Sequence, residues 1–489
     1  MLVFVLLAIK FYIARMEIFD DFNPVHVIAI SACSILAAVM LVELLAGKRK
    51  FLWLMIVNVL YTGIAFAAIM YHKYYGVIVT YRALAQAGQV FQVRASVINL
   101  TDPYYLFMFA DIVVLGILAG ANRRFKAWLA AKKRFDRRIA AGLVAVAALV
   151  CGLNISNNTS IYNEITKAKR MGLINYEVYE IAKGVLSPEE KNIRVTAAAV
   201  RQLKRTAPLA PEESRLWGIA EGRHVIVIQM ESLQNFLIGL TVEGQEITPN
   251  LNRLLEESLY FPRIYQQVGQ GNTSDSEYVL NTSLYIPPDG AASQMYTHKD
   301  LPSFPKLLKP HGYVSMTFHT NDIKFWNRDR LYPALGIDRM YDDDFFGEEE
   351  LVAFGASDRV LYEKTLPVLV ESDAQGERFY VNVISMSAHH PYHLPEEMAE
   401  LALPERYESS LVGRYFIAQH YADAALGRFI DGLKQAGLWE KSVIMIYGDH
   451  LGLPMYSLED EDFDLLGSLL GHEYAYADML NIPLLIAVP

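Results

Sequence analysis

The sequence has 489 residues, which is more than one domain of ordinary size requires. Hydrophobic residues make up 53% of it and charged residues 20%, and the net charge of −10 argues against a nucleic-acid-binding protein, which needs a basic face. The two cysteines, Cys33 and Cys151, both lie in apolar runs, so a thiolate metal site and a disulfide are excluded from the rest of the chain.

Five apolar stretches in the first third of the chain predict a membrane domain over residues 1–154. They are residues 1–15, 26–46, 51–71, 104–120 and 138–153. The second and third reach the length of about 20 residues that a helix needs to cross a hydrocarbon core. The other three are shorter, and any one of them alone would also suit a buried helix of a soluble protein. Five in series favour about five transmembrane helices.

The charges of the loops predict the orientation of these helices. Basic residues follow the second stretch at Lys48–Lys50 and crowd the segment 123–138, whereas the loop 16–25 is acidic. By the positive-inside rule the two basic loops are cytoplasmic, so an odd number of crossings places the chain after about residue 155 outside. The first stretch lacks the basic start of a cleaved signal peptide. Residues 155–218 are polar and helix-prone, which predicts a helical linker at the membrane surface.

Residues 219–489 have the pattern of an α/β domain. Short runs rich in Val and Ile predict strands, and helical periodicity, as at 414–436, separates them. The predicted strands are His224–Met230, Tyr313–Phe318, Phe379–Met386, Ser442–Tyr447 and Ile482–Val488. Alternating strands and helices predict a mainly parallel sheet, whose chemistry lies beyond the carboxyl ends of the strands.

Side chains that can bind a metal follow four of these strands. Glu231 follows the first, His319 the second, His389 and His390 the third, and Asp449-His450 the fourth. A single glutamate at such a position is more often a helix cap, and an Asp-His pair alone is ambiguous. Because the ends of parallel strands meet at one edge, the convergence of four predicts a metal site there.

Thr273 lies in the segment Gly269–Glu277, between a loop and a predicted helix. Ser274 with Glu277 fits a capping box, which places Thr273 at a helix N-terminus, where an alkoxide or a phosphate is stabilised. The alternative is that Thr273 only caps the helix. The neighbouring glycines, which let the backbone approach a ligand closely, favour a nucleophile.

At these residues the sequence resembles the lipoteichoic acid synthase family, membrane phosphoglycerol transferases of the sulfatase/alkaline phosphatase superfamily, over nearly the whole chain. Met230–Phe236 (MESLQNF) matches the family's first metal motif, Gly271–Glu277 (GNTSDSE) its nucleophile motif and Gly448–His450 (GDH) its last metal motif. The resemblance implies the following roles: Thr273 as nucleophile; Glu231, Thr273, Asp449 and His450 as metal ligands; His319, Trp326, Arg328 and His389 as substrate-binding residues, with His390 as an alternative to His389.

The resemblance also implies the reaction. One Mn²⁺ ion, or Mg²⁺ in its place, lowers the pKa of the Thr273 hydroxyl, which attacks phosphatidylglycerol and releases diacylglycerol. Arg328 is suited to bind the phosphate with two hydrogen bonds, and His319 and His389 to bind it or to protonate the leaving oxygen. A glycolipid-anchored polyglycerolphosphate chain then takes up the glycerophosphate, as expected for lipoteichoic acid and cell wall biogenesis.

The expected location is the cell membrane of a Gram-positive type envelope, with a multi-pass anchor in the lipid bilayer and an extracellular catalytic domain. Neither a nucleotide nor a nucleic acid is expected as a partner. The chain ends at Pro489 inside a predicted strand, where the family continues, which predicts a truncated C-terminus.

Three other functions fit parts of the pattern. A phosphoethanolamine transferase of the same superfamily also has a threonine nucleophile, but such domains carry several disulfides and more metal ligands. A phosphodiesterase or sulfatase would pass the group to water, although a sulfatase's C/S-x-P-x-R motif is absent at the nucleophile position. An inactive membrane protein that binds teichoic acid or a partner has no need of a Thr-Glu-Asp-His constellation.

Overall fold

The computed structural model of the protein describes residues 1–23, 30–47, 49–89, 94–131, 135–161, 163–186, 202, 214–288 and 290–489. The chain forms two compact units. The first, here called the helical unit, contains Met1–Leu84 and Val97–Glu189, and the second, the α/β unit, contains Ala85–Ser96 and Glu190–Pro489.

Helices make up the regular structure described before residue 190. They are α1 (Leu2–Phe19), α2 (Ala32–Leu45), α3 (Lys50–Tyr75), α4 (Arg94–Leu100), α5 (Ala110–Ala121), α6 (Arg123–Ala131), α7 (Arg137–Asn158), α8 (Glu164–Met171) and α9 (Leu173–Leu186), with 3₁₀ turns at Tyr81–Gln89 and Pro103–Phe109. Each of the five predicted apolar stretches overlaps one of these helices. Residues 26–29 of the second stretch lie outside the described residues.

Three helices in the described part of the chain are long and apolar enough to cross a membrane: Lys50–Tyr75, the continuous stretch Pro103–Ala121, and Arg137–Asn158. The other two predicted spans differ for separate reasons. Helix α2 has only 14 residues in its described part, and α1 has 18 residues but includes Lys10 and Arg15.

Lys10 has a charged partner inside the helical unit. Its Nζ lies 2.6 Å from Asp111 Oδ1 and donates to Asn58 Oδ1 at 3.0 Å and to Thr62 Oγ1 at 2.8 Å. Asn58 in turn donates to Asp111 Oδ2 at 2.8 Å. An unpaired charge among apolar helices costs several kcal/mol, and pairing removes most of that cost. This cluster therefore explains how α1 retains a lysine in an apolar stretch.

The predicted linker 155–218 is described only in part. Its first residues belong to α7, and residues 163–186 contain α8 and α9. Residues 187–201 and 203–213 lie outside the described part of the chain. A position of this segment at the membrane surface stays a prediction.

A seven-stranded sheet organises the α/β unit, in the order β4-β11-β10-β1-β9-β5-β6. Its strands are β1 (His224–Met230), β4 (Leu259–Tyr265), β5 (Tyr313–His319), β6 (Arg339–Tyr341), β9 (Arg378–Ile384), β10 (Ser442–Gly448) and β11 (Asn481–Ala487). Two small hairpins contain β2 (Thr241–Val242) with β3 (Gln245–Glu246), and β7 (Leu351–Val352) with β8 (Gly355–Ala356). Strands β10, β1, β9, β5 and β6 are parallel, and β11 runs antiparallel to β10. The predicted mainly parallel sheet is confirmed.

Helices cover both faces of this sheet. They are α10 (Pro249–Leu254), α11 (Asn272–Thr282), α12 (Ala292–Met295), α13 (Phe304–Leu308), α14 (Arg328–Leu335), α15 (Asp343–Phe346), α16 (Asp358–Ala374), α17 (Glu405–Glu408), α18 (Leu411–Gln435), α19 (Asp460–Leu470) and α20 (Tyr476–Leu480). The main core lies between one face and α16 and α18, whereas α11 and α14 pack on the other face.

All five predicted strands of the α/β unit are present, β1 with its predicted bounds and the other four with ends shifted by at most two residues. Two strands of the sheet were not predicted, β4 and β6. Strand β4 contains Pro262, which cannot donate to a neighbour, and it occupies the edge of the sheet, where a proline is tolerated.

The register brings the strand ends level with one another. Met230 pairs with Gly448, and both Gln229 and His319 pair with Ile384. The residues that follow β1, β9 and β10, together with the end of β5, therefore meet at one edge of the sheet.

Candidate active site

Three buried side chains that can bind a metal meet at this edge. Glu231 follows β1, and Asp449 and His450 follow β10; one ligand atom from each lies within 4.8 Å of the others. His450 Nε2 is 3.3 Å from Glu231 Oε1 and 3.7 Å from Asp449 Oδ2. Among the described residues this is the only such cluster of His, Cys, Asp and Glu.

Ser232 sets the geometry of two of these side chains. It has a left-handed backbone, with φ 58°, an unusual state for a non-glycine residue that is often found at functional sites. In this conformation its N–H donates to Asp449 Oδ1 at 2.8 Å, and its hydroxyl donates to Glu231 Oε1 at 2.7 Å. The backbone N–H of His450 also donates to Asp449 Oδ1, at 2.8 Å. One oxygen of Asp449 is thus committed to the backbone, and the other faces His450.

Thr273 joins this cluster from the other side. Its hydroxyl donates to Glu231 Oε2 at 3.2 Å and lies 3.4 Å from His450 Nε2. It is the second residue of α11, as predicted for a helix N-terminus, where the backbone dipole favours negative charge. The structure therefore brings together all four residues that the sequence suggested as metal ligands.

The predicted capping box of Ser274 with Glu277 is wrong. Gly271 is the N-cap of α11, and Ser274 Oγ donates to the Gly271 carbonyl. Asp275 holds the loop instead, since its Oδ2 accepts from the N–H groups of Gly269 at 3.0 Å and Gly271 at 2.9 Å. Glu277 lies on the buried face of the helix and cannot reach the cap. Thr273 is not the cap either, because Gly271 holds that position.

Glu277 binds Arg328, a residue predicted to contact substrate. Arg328 Nε and Nη2 lie 2.9 and 2.8 Å from Glu277 Oε1, and the Tyr332 hydroxyl donates to Oε2 at 2.7 Å. Arg328 is 1% exposed, and its Nη1 has no hydrogen-bond partner within the described residues. The expected two hydrogen bonds from Arg328 to phosphate stay a prediction, and Nε and Nη2 are already engaged by Glu277. The edge of the guanidinium formed by Nε and Nη2 is bound to Glu277 on α11, the helix that contains Thr273, and Nη1 remains for a ligand.

His319 is buried at the end of β5. Its Nδ1 lies 3.1 Å from the Ile384 carbonyl oxygen, which only accepts, so Nδ1 carries the hydrogen. Burial, and next the charge of Arg328, lower the pKa of His319 to about 3. Its imidazole is therefore neutral, and Nε2 has a lone pair available to accept a hydrogen bond.

Trp326, two residues before Arg328, is buried against Phe325, with ring centroids 5.6 Å apart. Trp326 and Asn327 both have left-handed backbones, with φ 57°. Asn327 donates to the Ser293 carbonyl at 2.7 Å, which ties this turn to the segment beside α11. Contact of Trp326 with a substrate stays a prediction.

His389, and not His390, has the electrostatic surroundings of the cluster. Burial lowers the pKa of His389, while the charge of Glu231 raises it. For His390, burial, and then the charges of His389 and Arg414, lower the pKa to about 3. His389 Nδ1 lies 2.8 Å from the His390 carbonyl oxygen, which leaves Nε2 as its other polar atom.

The charges of the cluster favour a cation. Burial and the charge of Glu231 raise the pKa of Asp449. Burial also acts to raise the pKa of Glu231, but the charge of His450 outweighs burial, and the pKa of Glu231 is lowered. Burial lowers the pKa of His450, but Asp449 and Glu231 outweigh it and raise that pKa to about 10. Two buried carboxylates thus draw positive charge to this point. A donor set of carboxylate oxygens, one imidazole and one hydroxyl suits a divalent cation such as Mn²⁺ or Mg²⁺.

Sequence reasoning missed the residues that support the cluster. Ser385 Oγ accepts from the Glu231 N–H at 2.8 Å, and Gln229 lies between Thr273 and Asp449. Glu277 was predicted to pair with Ser274 in a capping box, whereas it binds Arg328. A signal existed for Glu277, because it follows Thr273 by four residues and so lies on the same face of α11.

A parallel sheet with a threonine at a helix N-terminus, beside a glutamate and an Asp-His pair, defines an enzyme of the sulfatase/alkaline phosphatase type. The sulfatase family model matches residues 223–489, and the model of the lipoteichoic acid synthase N-terminal domain matches residues 1–192.

Relatives cover most of the chain. It is 29% identical to lipoteichoic acid synthase 1 of Bacillus subtilis (strain 168), over 97% of this chain and 74% of that protein. It is 30% identical to the lipoteichoic acid synthase of Staphylococcus aureus (strain USA300), over 89% of this chain and 68% of that protein. The chain belongs to the lipoteichoic acid synthase family and is a transferase, and the described part of its helical unit contains three helices long and apolar enough to cross a membrane.

Two solved structures agree with this assignment. The crystal structure of the lipoteichoic acid synthase LtaP from Listeria monocytogenes has a TM-score of 0.56 at 36% identity, covering 60% of this chain and 71% of that one. The integral membrane lipooligosaccharide phosphoethanolamine transferase A from Neisseria meningitidis has a TM-score of 0.55 at 17% identity, covering 99% of this chain and 88% of that one. The second likeness concerns the fold alone.

Proposed function

We propose that this protein transfers glycerophosphate from phosphatidylglycerol to a growing, glycolipid-anchored polyglycerolphosphate chain, through a covalent intermediate on Thr273. The observation that carries the proposal is the position of the Thr273 hydroxyl, 3.2 Å from Glu231 and 3.4 Å from His450. A buried threonine hydroxyl between a carboxylate and an imidazole, at a helix N-terminus, is suited to act as a nucleophile, which supports the proposal.

Glu231, Asp449, His450 and the Thr273 oxygen would hold one divalent cation, Mn²⁺ or alternatively Mg²⁺. When bound, such a cation supplies Lewis-acid stabilisation of phosphate charge and lowers the pKa of a neighbouring hydroxyl. The two buried carboxylates of the cluster match that charge. Manganese in particular is inferred from the family resemblance.

The proposed reaction has two displacements at phosphorus. The Thr273 oxygen forms a bond to the phosphorus of phosphatidylglycerol and loses its proton, while the bond from phosphorus to the diacylglycerol oxygen breaks. That oxygen takes a proton, and diacylglycerol leaves. The terminal hydroxyl of the acceptor chain then attacks the same phosphorus, which releases Thr273 and lengthens the chain by one unit.

The charge and the tautomer of each substrate-binding residue suggest which part of the substrate it contacts. Arg328 Nη1 would bind a non-bridging phosphate oxygen, since Nε and Nη2 are held by Glu277. His319 Nε2 can only accept in its neutral form, so it suits a glycerol hydroxyl better than a phosphate oxygen. His389 would contact the phosphate or the leaving oxygen, and Trp326 would line the glycerol side.

We propose that the α/β unit lies outside the cell, and this can be tested by cysteine labelling. In a background with Cys33 and Cys151 replaced by serine, Glu397→Cys on the α/β unit should react with a membrane-impermeant maleimide in intact cells. Both Glu397 and Arg124 are exposed. By the positive-inside rule Arg124→Cys, in the basic segment after α5, should react only after permeabilisation. The reverse pattern would contradict the proposed orientation.

Turnover by the purified full-length chain tests the function itself. With fluorescent phosphatidylglycerol and Mn²⁺ we expect diacylglycerol release, which a chelator abolishes and added Mn²⁺ restores. Phosphatidylethanolamine offered under the same conditions should release little diacylglycerol. Release from phosphatidylethanolamine alone would indicate a phosphoethanolamine transferase, and free glycerophosphate without chain growth in the presence of acceptor would indicate a phosphodiesterase.

A further inference from the structure

We propose that Gln229 is a positioning residue for this site, whose side-chain amide fixes both the Asp449 carboxylate and the first turn of the Thr273 helix. The inference rests on the proposed function, because it assumes that Asp449 binds a divalent cation. Neither the motifs of the sequence nor the suggested metal ligands include this residue.

The Gln229 side chain is fully buried on β1 and makes hydrogen bonds at both of its polar atoms. Nε2 donates to the Thr273 carbonyl oxygen at 3.2 Å and to Asp449 Oδ2 at 3.4 Å. Both partners only accept, so the amide must present its NH₂ group to them. Oε1 accepts from the Tyr447 hydroxyl at 2.8 Å, and Tyr447 in turn accepts from Ser276 Oγ at 3.1 Å. The orientation of the amide is therefore fixed from both ends.

This amide touches the oxygen of Asp449 that faces the cluster. Oδ1 is occupied by the N–H groups of Ser232 and His450, and Oδ2 is the oxygen near His450 Nε2, at 3.7 Å. The hydrogen bond from Gln229 therefore limits rotation of the carboxylate about its own axis. Because the same NH₂ group binds the main chain of Thr273, one side chain sets the distance between the nucleophile and a metal ligand.

Replacing Gln229 should weaken metal binding more than it weakens the fold. Partners that orient metal ligands typically contribute about 10–100-fold in metal affinity. Gln229→Met keeps the volume and removes every hydrogen bond, so the Kd for Mn²⁺ should rise by about 10–100-fold. The measurement is isothermal titration calorimetry of the purified full-length protein after metal removal, with the thermal midpoint recorded in parallel.

Asn281→Leu is the matched control, since it also replaces a buried amide by an apolar side chain of similar size. Asn281 lies on α11 over the same face of the sheet, where it donates to the Glu277 carbonyl and accepts from the Tyr380 hydroxyl, both at 2.8 Å. Asn281 itself lies about two helical turns from Thr273. We expect this variant to lower the thermal midpoint and leave the Kd for Mn²⁺ unchanged.

Tyr447→Phe tests whether the orientation of the amide matters. Alone it should raise the Kd for Mn²⁺ less than Gln229→Met does, and in the Gln229→Met background it should add nothing. An unchanged Kd in Gln229→Met, beside a wild type that binds Mn²⁺, overturns this inference and leaves the proposed metal site standing. A wild type that binds neither Mn²⁺ nor Mg²⁺ overturns both.

Discussion

Thr273→Val is expected to abolish turnover while leaving the protein folded. The substitution keeps the β-branched shape and removes the oxygen that lies 3.2 Å from Glu231. Loss of a nucleophile lowers kcat by factors on the order of 10³ or more. Thr273→Ser keeps the oxygen and should retain part of the activity. The measurement is diacylglycerol release from fluorescent phosphatidylglycerol, with the thermal midpoint as the test of folding.

The same helix offers a matched control, Thr282→Val. Thr282 ends α11, and its hydroxyl donates to the Tyr278 carbonyl at 2.6 Å and accepts from the Leu284 N–H at 3.1 Å, away from the cluster. This variant should keep wild-type turnover. In addition, wild type incubated with phosphatidylglycerol and no acceptor should carry a glycerophosphoryl adduct on the Thr273 peptide, detectable by mass spectrometry. Near wild-type turnover in Thr273→Val would redirect the mechanism to attack by the acceptor hydroxyl without a covalent intermediate.

The position of Thr273 near a helix N-terminus could be predicted from the local sequence, and the same holds for much of the fold. The hydrophobic periodicity of a segment indicates whether it forms a strand or a helix. The bounds of the five strands and of the helix around 414–436 were therefore predicted to within a few residues. Strand β4 was not predicted because it contains Pro262, and a proline usually interrupts a strand. A proline is tolerated in this strand because β4 lies at the edge of the sheet. Edge position is a property of the whole sheet and is absent from any local window.

The candidate site, like the fold, could be predicted from the sequence only in part. The metal-binding side chains follow their strands directly, so the rule about carboxyl ends of parallel strands was enough to group them. The supporting contacts join residues far apart in sequence: Gln229 with Asp449, and Glu277 with Arg328. Their pairing depends on strand register and helix rotation, which one sequence does not reveal. Glu277 illustrates the error that a local rule can produce. Its sequence fits a capping box with Ser274, but in the structure its carboxylate binds Arg328.

Arg328→Lys is expected to lower kcat/KM by about 10²–10³-fold, the loss that follows removal of one hydrogen-bond donor aimed at developing charge. Lysine keeps the positive charge, so Glu277 is not left unpaired, which would cost about 3–5 kcal/mol of stability. A single ammonium group cannot bind the Glu277 carboxylate through Nε and Nη2 and still present a donor in the place of Nη1. The loss should therefore appear in turnover and much less in the thermal midpoint.

Arg339→Lys controls for the loss of a guanidinium as such. Arg339 binds Glu377 through both terminal nitrogens, at 3.0 and 2.8 Å, but its side chain is 40% exposed. Exposed pairs of this kind contribute at most about 1 kcal/mol, so this variant should resemble wild type in both turnover and stability. If Arg328→Lys turned over phosphatidylglycerol as fast as Arg339→Lys does, Arg328 would serve only to pair with Glu277. The phosphate would then have to be bound by the cation and the histidines alone.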